Sequence, residues 1–500
     1  MSCRGTILVG LLLVQLAATD GLTADQPGST AEIRNVLLIV SDDLRAGVLS
    51  CYGDPFCQTP NLQRLVSRGV VFERAYCQGT VCGPSRASFM RGRFVGRSGV
   101  TLGEHLRQQG RYTARVGKIF HMRVPGDIIA GTNGEDVEAC WTERFNSPGQ
   151  EAHSPGEYSC LNLNIVTRAA ENRQSTGDPH RPFVTVRTDG DGSAQPDYRT
   201  ADKAVEILNG IGADSDPFLL AVGFVRPHYP MVAPPEYFER YPHRSMLLPG
   251  VPAGDLDDIP AAGRSPSNSV STGLQKYPEN QQRMWSGYYA AVSFMDAQLG
   301  RVLDALEQRQ LLDSTLIIFT SDHGYHLGDH DFWQKSNLHE QVVRVPLIIA
   351  GPGITAGRSR SLVQLVDLFP TVCDLTAAPV PEGLDGLSLR PVLQDTSATV
   401  HEAAVSFVSG GHGLRTDRWA YMKYRDGSSE LYDMDHDAGQ YTNLSGKPEH
   451  AALEKQLEQQ LRQLTGVTDE SPNGRKQNNS RQDNTGQNAR RKQTQQTLDD

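Results

Sequence analysis

Two short stretches of this 500-residue chain place acidic side chains where a cation could be held: Ser41-Asp42-Asp43 and Ser321-Asp322-His323. Three carboxylates and an imidazole make a donor set dominated by hard oxygen, which suits Ca²⁺ and, less well, Mg²⁺. Zinc would normally take more nitrogen or sulfur. An aspartate capping the next helix explains either stretch alone; the two Ser-Asp-x stretches together favour a metal. A third chemically capable group is the thiol of Cys82, in Cys82-Gly83-Pro84-Ser85-Arg86. Pro84 to Met90 reads as the start of a helix, so Cys82 lies near an amino end where exposed amides and the helix dipole favour an anionic ligand. The plain alternative for such a residue is a small buried apolar side chain.

The elements that must position these groups are legible as alternating strands and helices. Asn35–Val40 and Thr315–Thr320 are short apolar runs rich in β-branched residues, the pattern of buried parallel strands, and each leads directly into one acidic stretch. Ligands of open α/β sheets gather at the carboxyl ends of strands, so the two tips are expected to converge despite their separation in sequence. Phe218–Phe224 and Val345–Ala350 add strands. Helices are predicted over 60–70, with Thr59 as N-cap and Pro60 in the first turn, and over 102–109, 201–208 and 281–306. Another is predicted over 363–375. The alternation predicts an α/β fold with a large mixed, mainly parallel sheet flanked by helices. Trp419–Tyr424, the Asp426-Gly427 turn and Glu430–Asp433 predict a hairpin within a smaller C-terminal antiparallel-sheet subdomain. Residues 122–200, rich in Gly, Pro and polar side chains, are expected to be loops covering the sheet edge.

These readings divide the chain into a signal peptide (1–24), a catalytic α/β domain (25–361), a smaller C-terminal subdomain (362–465) and a polar tail (466–500) expected to be disordered. Arg4 precedes the apolar run from Thr6 to Ala18, and Leu22-Thr23-Ala24 resembles a small-residue cleavage site. Export to a periplasm or the outside follows, with no later segment apolar enough to span a membrane. Seven cysteines follow the leader, an odd number. Export permits disulfides, and Cys140 with Cys160 is the pairing expected from their shared irregular stretch. The formal charge of −10 argues against a nucleic-acid partner, so affinity for any polyanion must come from local cations.

Cys82-Gly83-Pro84-Ser85-Arg86 resembles the sulfatase signature Cys-x-Pro-Ser-Arg, and matching residues run from Asn35 through the C-terminal subdomain. The chain is similar to sulfatases of the alkaline phosphatase superfamily, and within them to the iduronate-2-sulfatase branch. Gly117-Lys118-Ile119-Phe120-His121, Pro227-His228, and Asp322-His323-Gly324 followed by Trp333, Lys335 and Asn337 carry that narrower likeness. The resemblance implies that a maturation enzyme oxidises Cys82 to formylglycine, whose hydrate offers one hydroxyl to attack sulfur and a second to expel sulfate. It further implies that Asp42, Asp43, Asp322 and His323 hold one Ca²⁺ together with the modified Cys82, and that Arg86 stabilises the aldehyde hydrate. Lys118 and Lys335 would contact sulfate oxygens, His121 would deprotonate the hemiacetal, and His228 would protonate the leaving oxygen. Histidine suits both proton transfers because it titrates near working pH. The implied substrate is a sulfated saccharide, with 2-O-sulfated uronic acids as the narrow form.

Exposed surface is the usual fate of a lysine, and a hydrogen-bonded loop the usual fate of a histidine. Arg226 stands where that branch usually has lysine, and residues 93–101 and 122–200, which would line the sugar pocket, do not match clearly. Two rivals remain at this level: a phosphate or phosphonate monoester hydrolase with the same nucleophile, and a non-catalytic calcium-dependent glycan-binding protein whose Cys82 stays a thiol.

Overall fold

The run Asn35–Asp42 (β1) is buried at every position because it lies mid-sheet with helices on both sides. The computed structural model describes Met1 and residues 32–173, 180–212 and 215–466. The rest of the leader and the tail from 467 onward lie outside the described residues. The other strands of the main sheet are β2 (Gly69–Tyr76), β3 (Tyr112–Gly117), β4 (Glu143–Phe145), β5 (Phe218–Pro227), β6 (Thr315–Ser321), β7 (Arg344–Val345), β8 (Leu347–Ala350) and β9 (Gly357–Gln364). Their order is β9-β2-β8-β6-β1-β5-β3-β4, with β7 and β8 lying end to end along β2. Pro346 divides β7 from β8, since proline has no N–H to give a ladder. β1 runs parallel to β6 and β5, β5 to β3, β3 to β4, and β9 to β2; β8 runs antiparallel to both neighbours. The fold is therefore α/β with a mixed, mainly parallel sheet, as predicted.

Side chains alternate across the sheet. Leu37 and Ile39 pack with Tyr288, Val292 and Leu299 of the long helix Pro278–Gln308. Val36, Leu38 and Val40 face the opposite layer, with Phe89 and Met90 of helix Cys82–Arg91 and Phe369 and Val372 of helix Leu368–Leu375. A smaller four-stranded antiparallel sheet follows: Ala403–Val408, Gly411–Thr416, Trp419–Tyr424 and Ser429–Asp433. Helix Ala451–Thr465 covers it with Leu457 and Leu461. Among the described residues no helix is long and apolar enough to cross a membrane.

Five local expectations are corrected. The helix predicted over 60–70 ends at Val66, because Gly69 already begins β2. Thr59 occupies its N-cap position without capping; Asp296 of the long helix instead accepts the N–H groups of Asn61 (3.0 Å) and Leu62 (2.7 Å). Val363 and Gln364, predicted helical, belong to β9, held by pairing with Ala75 and Tyr76; the helix begins at Leu368. Residues 122–200 are more than loops. They carry β4, the start of helix Pro196–Gly210, and Gly156–Cys160, Ile165–Thr167 and Val184–Thr188, which join Met231–Ala233 in a second four-stranded sheet. Tyr158, Cys160, Val184, Val186 and Val232 give that sheet its own small core. Cys140 and Cys160 are both free thiols rather than a disulfide. Cys140 lies in the layer under the main sheet, 2.7 Å from the Thr101 hydroxyl, whereas Cys160 belongs to the small-sheet core.

Candidate active site

In-register pairing of Ser41 with Ser321 sets the two acidic tips side by side. Asp43 N–H donates to Asp322 Oδ1 at 3.1 Å, and Leu44 N–H to Ser321 Oγ at 2.9 Å. Asp42, Asp43 and Asp322, all buried, each bring an oxygen within 4.8 Å of the others; Asp43, Cys82 and His323 form a second such group. Cys82 is the first residue of helix Cys82–Arg91, and that helix is docked on the β6 tip by Ser85 Oγ donating to the Asp322 carbonyl at 2.5 Å. His323 Nδ1 lies 3.0 Å from the Gly324 carbonyl. A carbonyl can only accept, so Nδ1 carries a proton; burial opposes charge on the ring, but Asp322 prevails and pushes the imidazole up to about 9, and a cation held at Nε2 would displace the second proton. That nitrogen faces Cys82 Sγ at 3.3 Å and Asp43 Oδ1 at 3.5 Å.

Three cations meet the three carboxylates. Arg86, wholly buried, donates from Nε to Asp322 Oδ2 (2.8 Å), from Nη2 to Asp42 Oδ1 (3.2 Å) and from Nη1 to the carbonyls of Lys118 and Ile119. It clamps the two strand tips together and makes no hydrogen bond to Cys82. Lys118 pairs with Asp42 Oδ2, and Lys335 Nζ donates to Asp43 Oδ1 at 2.5 Å and to Cys82 Sγ at 3.1 Å. Both lysines are buried, not surface groups.

The adjacent aspartates are pushed in opposite directions. Burial raises both, but around Asp42 it is outweighed chiefly by Lys118 and then Arg86, which hold that carboxyl well below the usual range. Asp43 has Lys335 as its main cation, and burial pushes it up to about 7; its Oδ2 is buried without a hydrogen-bond partner. Burial and Asp42 push the Cys82 thiol up, but Lys118 and Lys335 prevail and hold it below its ordinary value. Asp43, with its unpartnered Oδ2, marks the oxygen-rich side, where a divalent cation would take the place of the proton on His323.

His228 sits just past the end of β5. Its Nδ1 lies 2.6 Å from the Tyr229 carbonyl, its ring stacks on Tyr229, and its Nε2 is 3.8 Å from Asp43 Oδ2. Burial, then Lys335 and Lys118, hold it well below an ordinary imidazole despite Asp42. His121 stands further out, half-buried, on the wall of a cavity of about 430 Å³ shared with Arg123, Asn133 and Glu135. Gly83, next to Cys82 in the chain, lies against two of the residues lining this cavity: a Cβ there would lie 3.4 Å from Glu135 Oε2 and 3.8 Å from the His121 ring. Burial, then Lys118, lowers the His121 imidazole.

Sequence reasoning missed several residues that shape the site. Tyr288 donates its hydroxyl to the Asp43 carbonyl at 2.5 Å, and Glu151 and Asp197 hold the turn bearing His228. None belongs to a motif; a buried tyrosine mid-helix and two isolated acids carry no pattern of their own. Arg226, noted only as a departure, is fully buried on Glu151.

The chain was also compared with known proteins. A family model described as Sulfatase matches residues 34–378, and one described as N-sulphoglucosamine sulphohydrolase, C-terminal, matches 328–466. Human iduronate 2-sulfatase is 31% identical over 437 residues, covering 76% of this chain and 75% of its own. A solved phosphonate monoester hydrolase from Silicibacter pomeroyi superposes with a TM-score of 0.71 at 23% identity, covering 88% of this chain and 96% of its own. A structure solved in complex with its substrate D-glucosamine-2-N,6-O-disulfate superposes with a TM-score of 0.67 at 22% identity, covering 86% and 97%. The family model spans well over half the chain, across both acidic strand tips and the Cys82 helix between them, and so the chain belongs to the sulfatase family: it is a sulfuric ester hydrolase.

Proposed function

We propose that this sulfatase is exported, binds calcium, and hydrolyses sulfate esters of carbohydrates through a formylglycine made from Cys82, with 2-O-sulfated uronic acids as the first substrates to test. The observation that carries this reading is the gathering of three buried carboxylates, from two distant strand tips, around Cys82 and three buried cations. With His323 neutral, as a metal ligand must be, those six charges cancel. A divalent cation would add two positive charges, matched by one negative charge from a sulfate monoester and one from a deprotonated nucleophile. The orphaned Asp43 Oδ2 and the oxygen-rich donors fit Ca²⁺. Asp42, Asp43, Asp322, His323 and position 82 would hold it. When present, calcium supplies Lewis acidity toward sulfate oxygens, and formylglycine supplies a hydrated aldehyde that attacks sulfur and later expels sulfate.

The chain's own residues then divide the remaining work. Arg86 keeps Asp42 and Asp322 in place. Lys118 and Lys335 are fixed cations for sulfate oxygens in a site closed to water, where they act most strongly. His121, at the cavity wall, accepts the proton whose loss releases sulfate. His228 gives its proton to the leaving oxygen; a bound sulfate anion offsets the two lysines that otherwise keep this imidazole neutral. The saccharide lies in the cavity beyond His121 and Glu135. Fold likeness to the solved phosphonate monoester hydrolase supports a second reading, since phosphonate monoesters carry the same single negative charge. The family assignment leaves no support for a non-catalytic glycan binder.

Sulfate release from a panel of defined sulfated saccharides, by the full chain produced with a maturation enzyme, tests the proposal. Release from 2-O-sulfated uronates, abolished in Cys82→Ala, is expected. Turnover by Cys82→Ala sinks the mechanism, activity confined to other sugar sulfates sinks the narrow substrate, and a large preference for a matched aryl phosphonate establishes the second reading.

A further inference from the structure

Three residues from three separate parts of the chain, Arg226, Glu151 and Asp197, converge beneath the turn that carries His228. Arg226 is wholly buried and its fork is fully directed inward: Nη1 donates to the carbonyls of His228 (2.6 Å) and Pro230 (2.7 Å), and Nη2 to Glu151 Oε1 (2.5 Å). Glu151 is equally buried, and its backbone sits in the left-handed region at φ 50°. Asp197, in the first turn of helix Pro196–Gly210, accepts the N–H groups of Val225 (2.7 Å) and Arg226 (3.0 Å). The turn itself closes with His228 N–H donating to the Val225 carbonyl at 2.9 Å. These bonds engage the turn's backbone on both sides of His228, and none of them touches its ring.

We infer that Arg226, fixed by Glu151, is a positioning residue for His228: it sets where the imidazole Nε2 stands relative to the leaving oxygen. Without the guanidinium, two buried carbonyls lose their donor, a loss that buried backbone groups rarely tolerate without moving. His228 would shift with them, because its ring is oriented by the neighbouring Tyr229 carbonyl and the Tyr229 ring, both within the same turn. The planar fork matters: one arginine reaches two carbonyls and a carboxylate at fixed angles, which a lysine's single nitrogen cannot reproduce.

This inference rests on the reading of His228 as the acid, and the test separates the two. General acid catalysis typically contributes about 10²–10⁴-fold, and it is needed for a sugar or alkyl leaving group far more than for 4-nitrophenolate. The full-length, matured enzyme is assayed on 4-nitrophenyl sulfate and on a sugar sulfate, as wild type, His228→Ala, Glu151→Gln and Arg226→Met. Each variant is expected to lose at least roughly tenfold more kcat on the sugar sulfate than on the nitrophenyl ester. In the His228→Ala background, Arg226→Met should add nothing to that difference, as for groups acting through one another. If Arg226→Met fails to fold, Arg226→Met with Glu151→Gln, which removes both charges of that buried pair, carries the test. Equal losses on both substrates, or a further multiplicative loss on top of His228→Ala, overturn the inference while leaving His228 as the acid. Absence of leaving-group dependence in His228→Ala itself overturns the acid assignment and the inference together.

Discussion

Lys335→Met removes the cation that both reaches the Cys82 sulfur (3.1 Å) and neutralises Asp43 (2.5 Å). Two effects follow, and they have different signatures. A unit charge about 4 Å from a sulfate oxygen at an effective dielectric near 20 interacts by about 4 kcal/mol, and removing one preorganised group of this kind from an active site costs roughly 10²–10³ in rate. The kcat/KM for an aryl sulfate should therefore fall by about 10²–10³. Asp43 is left buried without its principal counter-charge, which for a broken buried pair costs about 3–5 kcal/mol. Calcium would supply that missing charge, so thermal unfolding should show a larger calcium-dependent stabilisation in Lys335→Met than in wild type, with chelator lowering the variant's midpoint further. Methionine keeps the side chain's length and volume, so packing changes little. The reasoning fails if activity stays within about threefold of wild type, well short of the loss expected for such a group. It also fails if calcium stabilises both proteins equally, for then Asp43 does not face the ion.

Other perturbations give independent checks. Asp329 ties the loop bearing Lys335 to Arg45 at 2.6 Å, and this partner outweighs burial to hold the carboxyl at about 2. A depressed carboxyl stabilises the fold above the unfolded aspartate range and loses that contribution as pH falls toward 2, so Asp329→Asn should cost about 2 kcal/mol at pH 7. In urea titrations the gap between the two proteins should shrink on acidification; a gap independent of pH contradicts the assignment. Glu135→Gln removes an exposed carboxylate from the cavity wall and should raise kcat/KM for a sulfated uronate up to about fivefold, the worth of one exposed charge. The gain should fade at high salt, with aryl sulfates that carry no carboxylate unaffected; an equal gain on both substrates places the charge elsewhere.

The most legible parts of the chain were those in which local pattern and tertiary role coincide. β1 and β6 are unbroken apolar runs because both faces of the central sheet are covered, and their tips announced themselves by repeating Ser-Asp. β2 was hidden because Glu73 and Arg74 interrupt its apolar alternation; its place comes from pairing with β8 and β9, more than 270 residues on, which no local window contains. The second sheet was hidden for a related reason. Its core needs Val232 beside Val186, and each strand alone is too short to show a period. At the site, residues in motifs could be named in advance, but their partnerships could not. Lys118 and Lys335, expected to contact sulfate oxygens, are also paired with Asp42 and Asp43, and Arg86 is directed to carboxylates and carbonyls. Burial and charge pairing decide such details, and both depend on the assembled fold.

Two consecutive residues cannot serve one ion from within a strand, because successive side chains point to opposite faces. β1 ends at Asp42, and Asp43 departs from it with a left-handed φ of 64°, which turns its carboxylate to the same side as that of Asp42. Aspartate tolerates this conformation better than most residues, yet it still costs on the order of 1–2 kcal/mol. The neighbouring chain holds it there. The Asp43 carbonyl and Arg45 N–H both meet the Tyr288 hydroxyl, while Asp43 N–H and Leu44 N–H are bonded to Asp322 and Ser321. Four hydrogen bonds, three of them buried, at about 1 kcal/mol each exceed the strain. A cation site needing adjacent carboxylates is therefore confined to the strand's end, and β6, in register beside it, brings Asp322 to the same height. The sheet's parallel pairing and the tip's strained backbone are thus two parts of one requirement, and neither would assemble the site alone.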